Sequence, residues 1–472
     1  MLLRYFYDEK LAHASYLVGC QASGEAIVVD PSRNIEQYVK AAEAEKVDIV
    51  AATETHIHAD FVSGAREIAA RFQAILYLSD EGDENWKYQN LDGLQSQLLK
   101  DGDVFSIGNI DFTVMHTPGH TPESISFLLT DRGGKADKPM GIFTGDFVFV
   151  GDVGRPDLLE KAAGFTGTAA AGAKDLYYSL ERFKKLPDYL QVWPAHGAGS
   201  ACGKALGAIP TSTVGYEKQF NWALQFSNEE AFVKELLDGQ PEPPTYFKIM
   251  KHVNKVGPAL LKDLALPQEI SIEELQASIT NGNTVIDTRS AEDFAQGHLP
   301  GSLNIPFTRS FPNWAGWLVD YNHPVSLVAS SERISEIVQS LRSVGIDHIP
   351  AYVHADAISA SANITLQSSR SVSPKEMLKQ LEAKNVHLLD VRGLNEWKEG
   401  NLPGAIHIML GTLPNRLTEV PADQKKPIVV YCASGVRSAI GVSILQANGI
   451  ENVLNLDGGI ERWQAEVETL GV

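Results

Sequence analysis

Histidine and carboxylate side chains recur at four places in the first 200 residues, in a pattern typical of a metal site. The first place, segment 55–61, holds two histidines and an aspartate at alternate positions: His56, His58 and Asp60. The other three places hold His116 with His120, then Asp146, and then His196. Because neutral imidazoles and carboxylates are the usual donors to first-row divalent metals, we expect a metal centre built from these motifs.

A cysteine near the end of the chain has the surroundings of a reactive thiolate. Cys432 follows the apolar run 427–431 and precedes a helix-like stretch. We therefore expect it to face backbone N–H groups and a helix N-terminus, which stabilise an anion. Arg437 adds a fixed charge and planar donors for an oxyanion such as sulfite or thiosulfate. The pattern predicts a nucleophilic cysteine that carries persulfide sulfur.

The chain has two other cysteines. Cys20 lies in a strand-like run, which indicates a structural core thiol. Cys202 stands in a glycine-rich loop six positions after His196, and Lys204 nearby would favour a thiolate there. A substrate-handling thiol and an inert buried thiol are both open for Cys202.

The elements that must position these residues follow an α/β pattern. A strand is predicted at 47–52 and a helix at 64–72, on either side of the first histidine segment. Further strands are predicted at 26–30, 112–115 and 141–146. Since loops at strand ends carry the chemistry of α/β sheets, the candidate ligands lie where a site is expected.

An internal repeat divides the rest of the chain. Segment 285–302 recurs as 388–405, an offset of 103 residues that indicates a duplicated domain. The earlier pattern breaks at 258–267, and a new helix with a capping box begins at Ser271. A serine-rich stretch, 359–373, is predicted to link the two copies. We therefore predict three domains: 1–262, 263–362 and 363–472.

Composition argues against several classes of protein. The formal net charge of −19 disfavours a nucleic-acid partner, because phosphate binding needs clustered lysine and arginine. No apolar run approaches the roughly 20 residues that cross a bilayer, and the N-terminus lacks the features of a signal peptide. Three widely spaced cysteines fit free thiols in a reducing compartment. We expect a cytoplasmic enzyme without a membrane partner, assembled as a homo-oligomer.

The order of the histidine and aspartate motifs resembles the metallo-β-lactamase superfamily, which implies an αββα sandwich. The usual first motif of that family is H-x-H-x-D-H, but Phe61 occupies its final position here, so one ligand of the usual second metal is absent. Within the superfamily the motifs are most similar to those of the persulfide dioxygenases, which use one Fe(II) ion. That resemblance implies iron bound by His56, His120 and Asp146, with zinc as a substitute ion.

The same resemblance implies roles for residues around the metal. Three side chains are expected to orient ligands or hold water: His58, Asp60 and His196. Arg155 matches the family's contact to the substrate carboxylate, and a surface ion pair is its alternative. Tyr177 matches a tyrosine close to the iron, and a core aromatic is its alternative. The Cys202 stretch also resembles that of fused persulfide dioxygenases, which adds this thiol to the substrate-binding candidates.

The last domain resembles the rhodanese sulfurtransferases, α/β proteins with a parallel sheet, in its segments 389–392, 432–438 and 457–463. The resemblance implies that Cys432 carries sulfur with help from Arg437. Asn401 stands where rhodanese domains often have a structural histidine. The middle domain keeps the entrance motif, but we place Val328 at the cysteine's position and interpret this domain as an inactive copy used for scaffolding or docking.

We expect a non-haem iron persulfide dioxygenase coupled to a sulfurtransferase that serves sulfide detoxification. It would oxidise low-molecular-weight persulfides such as glutathione persulfide with O₂ to sulfite, and exchange the sulfane sulfur of thiosulfate at Cys432. One alternative is a glyoxalase II-like zinc thioester hydrolase, against which Phe61 counts. Another is a sulfur-binding relay or sensor in which the metal domain is degenerate.

Overall fold

A computed structural model describes residues 1–158, 160, 167–204, 206–360, 364–421 and 425–467. The chain separates into two compact units, Met1–Asp263 with Arg342–Gly345, and Leu264–Leu341 with Ile346–Val472. The first unit ends within 258–267, the stretch where the sequence pattern breaks. The three predicted domain limits stay a prediction.

Two six-stranded sheets form the first unit in its described residues. The strands of the first sheet lie side by side in chain order: β1 Leu2–Asp8, β2 His13–Cys20, β3 Glu25–Val29, β4 Asp48–Thr53, β5 Ile75–Ser79 and β6 Ser96–Leu99. The second sheet contains β7 Val104–Ile107, β8 Ile110–His116, β9 Ile125–Asp131, β10 Gly141–Gly145, β11 Gln191–Pro194 and β12 Ser212–Thr213. These strands also lie side by side in chain order, from β7 at one edge to β12 at the other.

Apolar side chains from the two sheets form a shared core. Tyr77 of β5 stacks on Phe105 of β7, with ring centroids 3.9 Å apart, so the two sheets pack face to face. Phe112 and Phe127 are fully buried in the same cluster. Burial of aromatic area on this scale favours a closed sandwich over separate sheets.

Helices cover the outer faces of the sandwich. The helices of the first unit are α1 Glu36–Glu45, α2 Ala65–Phe72, α3 Thr168–Phe183, α4 Val214–Phe220, α5 Glu229–Leu237 and α6 Phe247–Val256. Buried residues of α1 and α2 pack on the first sheet, and buried residues of α3, α4 and α5 pack on the second. The predicted αββα arrangement is confirmed, and so are the strand at 47–52 and the helix at 64–72.

The second unit contains two copies of one parallel five-stranded sheet. The middle repeat has strands β13 Gln268–Glu269, β14 Thr284–Asp287, β15 Leu303–Asn304, β16 Val325–Ala329 and β17 Ala351–His354. The last repeat has β18 Arg370–Val372, β19 His387–Asp390, β20 Ile406–His407, β21 Ile428–Tyr431 and β22 Val453–Leu456. The orders are β13-β17-β16-β14-β15 and β18-β22-β21-β19-β20, so the duplicated fold is confirmed.

Helices connect these parallel strands. In the middle repeat they are α7 Ile272–Thr280, α8 Ala291–Gln296, α9 Phe311–Leu318, α10 Ile334–Arg342 and α11 Ala355–Ala360. In the last repeat they are α12 Pro374–Glu382, α13 Leu394–Glu399, α14 Val436–Ala447 and α15 Gly459–Glu466. The capping box predicted at Ser271 is confirmed, because its hydroxyl accepts from the Glu274 N–H and the Glu274 carboxylate accepts from the Ser271 N–H.

The predicted serine-rich linker is only partly a linker. Residues 370–372 form strand β18, which pairs with β22 and belongs to the last sheet. Residues 361–363 lie outside the described residues. Serine content predicted a loop here, but the backbone partners of β22 decide the outcome for these three residues. Among the described residues, no helix has both the length and the hydrophobicity that a bilayer span requires.

Candidate functional site

Three loops of the first unit bring a histidine pair and a carboxylate together. His56 follows β4, His120 lies between β8 and β9, and Asp146 directly follows β10. His120 Nε2 lies 3.4 Å and His56 Nε2 lies 4.0 Å from Asp146 Oδ2. All three side chains are buried, and their donor atoms lie within 4.8 Å of one another. The structure therefore brings together the three residues that the sequence predicted as iron ligands.

Hydrogen bonds orient both imidazoles toward the carboxylate. The Nδ1 of His120 bonds to the carbonyl oxygen of Arg155 at 2.9 Å. The Nδ1 of His56 lies 3.1 Å from the Thr55 hydroxyl, which donates to Asp30 at 3.0 Å. Each ring therefore keeps its Nε2 for a ligand, as in histidine ligands whose other nitrogen is held by the protein.

Gly145 is required for this arrangement. Its φ of 53° lies in the left-handed region, and a Cβ at this position would lie 2.3 Å from the Thr55 hydroxyl oxygen. A larger residue would displace Thr55 and with it the orientation of His56.

The electrostatics of the cluster fit a bound cation. Both carboxylate oxygens of Asp146 are buried without a hydrogen-bond partner among the described residues, which costs free energy unless a cation balances them. Burial, reinforced by neighbouring histidines, lowers the pKa of His56 well below its usual value. Burial also lowers the pKa of His120. Two neutral imidazoles beside one carboxylate are ready to bind a divalent metal.

A second buried cluster lies beside the first. His196 Nε2 is 3.2 Å from Asp60 Oδ2 and 3.4 Å from Asp146 Oδ1, and its Nδ1 bonds to the Ala12 carbonyl oxygen. The Cys202 sulfur joins Asp60 and His196 in a set of donor atoms within 4.8 Å of one another. The thiol therefore supplies a third donor, in a protein where Phe61 replaces the histidine that usually binds the second metal. The presence of Phe61 alone thus does not exclude a second ion.

The expected effect of Lys204 on Cys202 is wrong. The Lys204 ammonium is bound to the Glu235 carbonyl oxygen instead. Burial, followed by the nearby Asp146 and Asp60 carboxylates, raises the pKa of Cys202 well above its usual value. The structure thus favours a protonated, buried thiol at Cys202 in the metal-free protein.

His58 and Phe61 pack beside the two clusters. His58 Nε2 lies 3.1 Å from Asp30 Oδ1. Burial lowers its pKa, but the Asp30, Glu54 and Asp60 carboxylates outweigh burial and raise the pKa to about 9. The centroid of the Phe61 ring lies 3.9 Å from that of His13, a buried histidine of β2 that belongs to none of the sequence motifs.

His116 lies outside the clusters, because its Nε2 bonds to the Pro122 carbonyl oxygen at 2.8 Å.

The second candidate site is the loop after β21. Cys432 is buried, and its sulfur accepts a hydrogen bond from the Gly435 N–H at 3.1 Å and one from the Ser438 hydroxyl at 3.4 Å. Gly435 has a φ of 96° and precedes α14, so the loop turns its backbone donors toward the sulfur. Arg437 also contacts Cys432, while its two terminal nitrogens bind Glu396 at 2.7 and 2.6 Å. No sequence motif marks Glu396, which holds Arg437 in place.

Comparisons with known proteins agree with this geometry. Residues 9–196 match the metallo-beta-lactamase superfamily, and residues 271–355 and 373–466 each match the rhodanese-like domain. A crystal structure described as a metallo-beta-lactamase from Staphylococcus aureus subsp. aureus COL is 43% identical, with a TM-score of 0.68, and the match covers 75% of this chain and 99% of that one.

The chain belongs to the metallo-beta-lactamase superfamily.

Two curated relatives differ in their described activity. The human mitochondrial persulfide dioxygenase ETHE1 is 28% identical over 242 residues, which is 50% of this chain and 80% of that protein. The hydroxyacylglutathione hydrolase of Tolumonas auensis is 32% identical over 185 residues, which is 39% of this chain and 61% of that protein. Both alignments support a metal-dependent enzyme of this superfamily, joined here to two rhodanese-like domains.

Arg155, predicted to contact substrate, and Tyr177, predicted to lie close to the iron, both contact other side chains of the protein. The Nε and Nη2 of Arg155 each donate to Asp157 at 2.7 Å, and the Arg155 side chain is fully buried. The alternative interpretation, an ion pair on the surface, is therefore wrong, because this ion pair lies in the interior. Only Nη1 of Arg155 lacks a partner among the described residues. Tyr177 packs against Phe232, with ring centroids 5.6 Å apart, which supports the core-aromatic alternative.

The assignment of Val328 to the cysteine's position in the middle rhodanese-like domain is wrong. Strand pairing aligns Asp287 with Val328 in the middle repeat and Asp390 with Tyr431 in the last. Val328 is therefore the counterpart of Tyr431, and Ala329 is the counterpart of Cys432. The middle domain still has no thiol at this position, since Ala329 cannot carry sulfur.

Proposed function

We propose that the chain is an iron-dependent persulfide dioxygenase coupled to a thiosulfate sulfurtransferase. In this proposal residues 1–262 carry the metal site, 263–362 are an inactive rhodanese-like copy and 363–472 transfer sulfur. The observation that carries it is the buried His56–His120–Asp146 cluster, with two free Nε2 atoms facing an unpartnered carboxylate. Two histidines and one carboxylate are the donor set of non-haem Fe(II) oxygenases, and the similarity to ETHE1 supports the assignment.

The proposed reaction balances as RSSH + O₂ + H₂O → RSH + SO₃²⁻ + 2 H⁺. Fe(II) would supply the redox change that O₂ chemistry needs, which zinc lacks. His56, His120 and Asp146 would hold it, and the Arg155 carbonyl keeps the His120 ring in the required orientation. In this proposal Asp60 and His196, which are buried and 3.2 Å apart, would hold the water that cleaves the sulfur–sulfur bond.

The sulfurtransferase half uses the Cys432 thiolate as the nucleophile. It attacks the outer sulfur of thiosulfate, the sulfur–sulfur bond of thiosulfate breaks, sulfite leaves and a cysteine persulfide remains. The reverse step consumes sulfite and forms thiosulfate. The Gly435 N–H and the Ser438 hydroxyl stabilise the anionic sulfur, and Arg437, fixed by Glu396, adds positive charge.

The two halves would therefore share sulfite. We include in the proposal that the substrates are glutathione-type persulfides and that the enzyme serves sulfide detoxification as a cytoplasmic homo-oligomer.

Anaerobic iron loading followed by O₂ uptake with glutathione persulfide tests the proposal, with sulfite and thiosulfate counted in the same sample. We expect His56→Ala to abolish O₂ uptake, because one of three metal donors is lost. Cys432→Ser should leave O₂ uptake intact and remove thiosulfate exchange. Zinc-loaded protein is the control and should consume no O₂. Full O₂ uptake by His56→Ala or by the zinc form would refute the dioxygenase assignment.

A second candidate function has one specific observation in its favour. The Asp60–His196–Cys202 cluster could hold a second ion beside the first, as a zinc thioester hydrolase of the glyoxalase II type would need. The similarity to hydroxyacylglutathione hydrolases points the same way. Two zinc ions per chain together with thioester turnover, and no O₂ uptake by the iron form, would favour this function.

A further inference from the structure

The segment that carries the first metal-binding motif, residues 54–64, lies between β4 and α2 and is buried along its whole length. Buried carbonyl and N–H groups outside helices and strands need hydrogen-bond partners from other parts of the protein. Asp30 Oδ1 accepts from the Thr55 N–H at 2.7 Å. A Glu123 carboxylate oxygen accepts from the Ile57 N–H at 2.9 Å. The first half of the segment is held in this way.

Asn254 of α6 holds the second half of the segment with three hydrogen bonds. Its Nδ2 donates to the His58 carbonyl oxygen at 2.8 Å and to the Phe61 carbonyl oxygen at 2.7 Å. Its Oδ1 accepts from the Ser63 N–H at 2.9 Å. The side chain is 3% exposed, and the amide uses both of its donors and its acceptor on one stretch of backbone. Such a set of bonds fixes the path of residues 58–63.

Helix α6 presents this amide from a fixed position. The Lys255 ammonium donates to the carbonyl oxygens of Glu84 and Asn85 at 3.1 and 3.0 Å. The Gln89 N–H donates to the Lys255 carbonyl oxygen at 2.8 Å. Because these bonds anchor the residue next to Asn254, the amide keeps its place when it binds the segment.

The carbonyl groups that Asn254 binds lie on either side of Asp60, a side chain beside the proposed metal ligands. Asp60 Oδ2 lies 3.2 Å from His196 Nε2, and that nitrogen lies 3.4 Å from Asp146 Oδ1. A shift of residues 58–63 would therefore move Asp60, and with it His196, relative to the ligand Asp146. Partners that hold the surroundings of a metal in this way affect the affinity for the ion.

We infer that Asn254 is a positioning residue of the metal site, which supports metal affinity by fixing Asp60 beside Asp146. The inference rests on the proposed function only in that a metal ion binds at the buried histidine–aspartate cluster, and it holds for iron and zinc alike. Asn254 lies outside residues 9–196, the part of the chain that matches the metallo-beta-lactamase superfamily. Helix α6 is therefore a working part of the metal site.

Metal titration of the full chain without O₂ tests the inference. The chain is stripped of metal and titrated with Fe(II) alone, and separately with Co(II) alone, against a competing chelator. Asn254→Leu keeps the approximate size of the side chain and loses all three hydrogen bonds. We expect it to bind both ions about tenfold to a hundredfold more weakly. The ligand-field absorption of bound Co(II) should also change, because the geometry around the ion changes.

Asn221→Leu is the matched control. Asn221 is a fully buried asparagine of the same unit, and its Nδ2 donates to the Asp152 carbonyl oxygen at 2.9 Å and to a Glu217 carboxylate oxygen at 2.8 Å. This variant should unfold at a lower temperature, but its affinity for both ions and its Co(II) absorption should be unchanged. Equal losses of metal affinity in Asn221→Leu and Asn254→Leu would overturn the inference, because general destabilisation would explain both.

Asn254→Asp is a second, milder variant, which decides the question if Asn254→Leu does not fold. It keeps the size of the side chain and the acceptor for the Ser63 N–H, but it cannot make both donated bonds. We expect its Co(II) absorption to differ from that of the wild-type chain.

Unchanged Co(II) absorption in Asn254→Asp, or unchanged metal affinity in Asn254→Leu, would overturn the inference, and so would a wild-type chain that binds neither ion. Metal binding needs no turnover. A chain that shows the expected changes in metal binding but consumes no O₂ would therefore refute the dioxygenase and leave the role of Asn254 standing.

Discussion

The middle and last repeats share a framework and differ in one loop. In both, an arginine two residues after the aspartate that ends the second strand forms a fork with that aspartate: Arg289 with Asp287, and Arg392 with Asp390. Each arginine also donates to a glycine carbonyl oxygen, at 2.8 Å in the middle repeat and 2.6 Å in the last. The two repeats differ where strands β16 and β21 end, because Ala329, the last residue of β16, takes the position of Cys432.

The backbone of the two loops differs as well. Gly435 has a φ of 96°, whereas its counterpart Glu332 is not among the residues with positive φ. Helix α14 begins at Val436, but α10 begins at Ile334, one position later in the shared register. The comparison separates two parts of the rhodanese-like domain: a buried framework that holds the sheet, and a loop that in the last repeat turns its N–H groups toward the Cys432 sulfur.

Without the loop, the middle repeat still packs against its neighbour. The Asn304 N–H donates to the Ser443 hydroxyl at 3.0 Å, and Leu303, Trp314 and Leu318 pack on the core of the last repeat. This packing supports a scaffolding role for the middle repeat.

The largest expected effect tests whether the loop, and not the thiol alone, carries the chemistry. Cys432→Ser should reduce thiosulfate exchange at least about a thousandfold, because the nucleophile is lost. Adding Ala329→Cys to that variant should restore nothing, since Glu332 does not take the backbone conformation of Gly435. Cyanide-dependent thiocyanate formation from thiosulfate measures both. If the added cysteine restored thiosulfate exchange, the loop of the middle repeat would support the chemistry as well, and the difference in loop conformation would not matter.

The shared framework predicts equal losses of stability in the two repeats. Asp287→Asn and Asp390→Asn each remove the charge of a buried carboxylate and leave a mostly buried arginine without its ion-pair partner, which costs roughly 3 kcal/mol in such sites. Hydrogen exchange should show reduced protection of β14 in the first variant and of β19 in the second. If Asp287→Asn were neutral while Asp390→Asn was not, the middle repeat would not depend on the same framework.

The sequence predicted two features of this chain correctly: the metal cluster of the first unit and the duplicated sheet of the second. Imidazoles and carboxylates that recur at strand ends predicted a metal centre, and the resemblance to persulfide dioxygenases selected His56, His120 and Asp146 from that set. The structure brings these three side chains together. The repeat of 103 residues predicted two copies of one sheet, and the strand orders agree.

Sequence patterns did not predict contacts between distant segments. The Lys251 ammonium lies over the ring of Trp86, more than a hundred residues earlier in the chain, and no local pattern relates the two residues. The resemblance predicted that Arg155 contacts a substrate carboxylate, but Arg155 pairs with Asp157 in the interior instead. The assignment of Val328 to the cysteine's position was wrong by one residue. An apolar strand offers no marker of its end in the sequence, and only the pairing of β16 with β14 fixes the register.

The smallest expected effect concerns the residue before the Leu-Pro-Gly turn of each repeat. His298 Nδ1 bonds to the Phe294 carbonyl oxygen at 2.8 Å, and Asn401 Nδ2 donates to the Trp397 carbonyl oxygen at 3.2 Å. Both side chains reach the carbonyl four residues earlier, so the amide performs the structural task of the imidazole. Asn401→His should therefore change the free energy of unfolding by less than about 1 kcal/mol.

His298→Asn should cost more than the reverse exchange, because the His298 ring also stacks on Phe294 with centroids 3.7 Å apart and is buried, whereas Asn401 is exposed. Thermal unfolding of both variants measures the difference. Thiosulfate exchange should be unaltered in Asn401→His, since neither residue contacts Cys432. A large loss of thiosulfate exchange in that variant would show that Asn401 takes part in the chemistry at Cys432. It would then not belong only to the framework that the two repeats share.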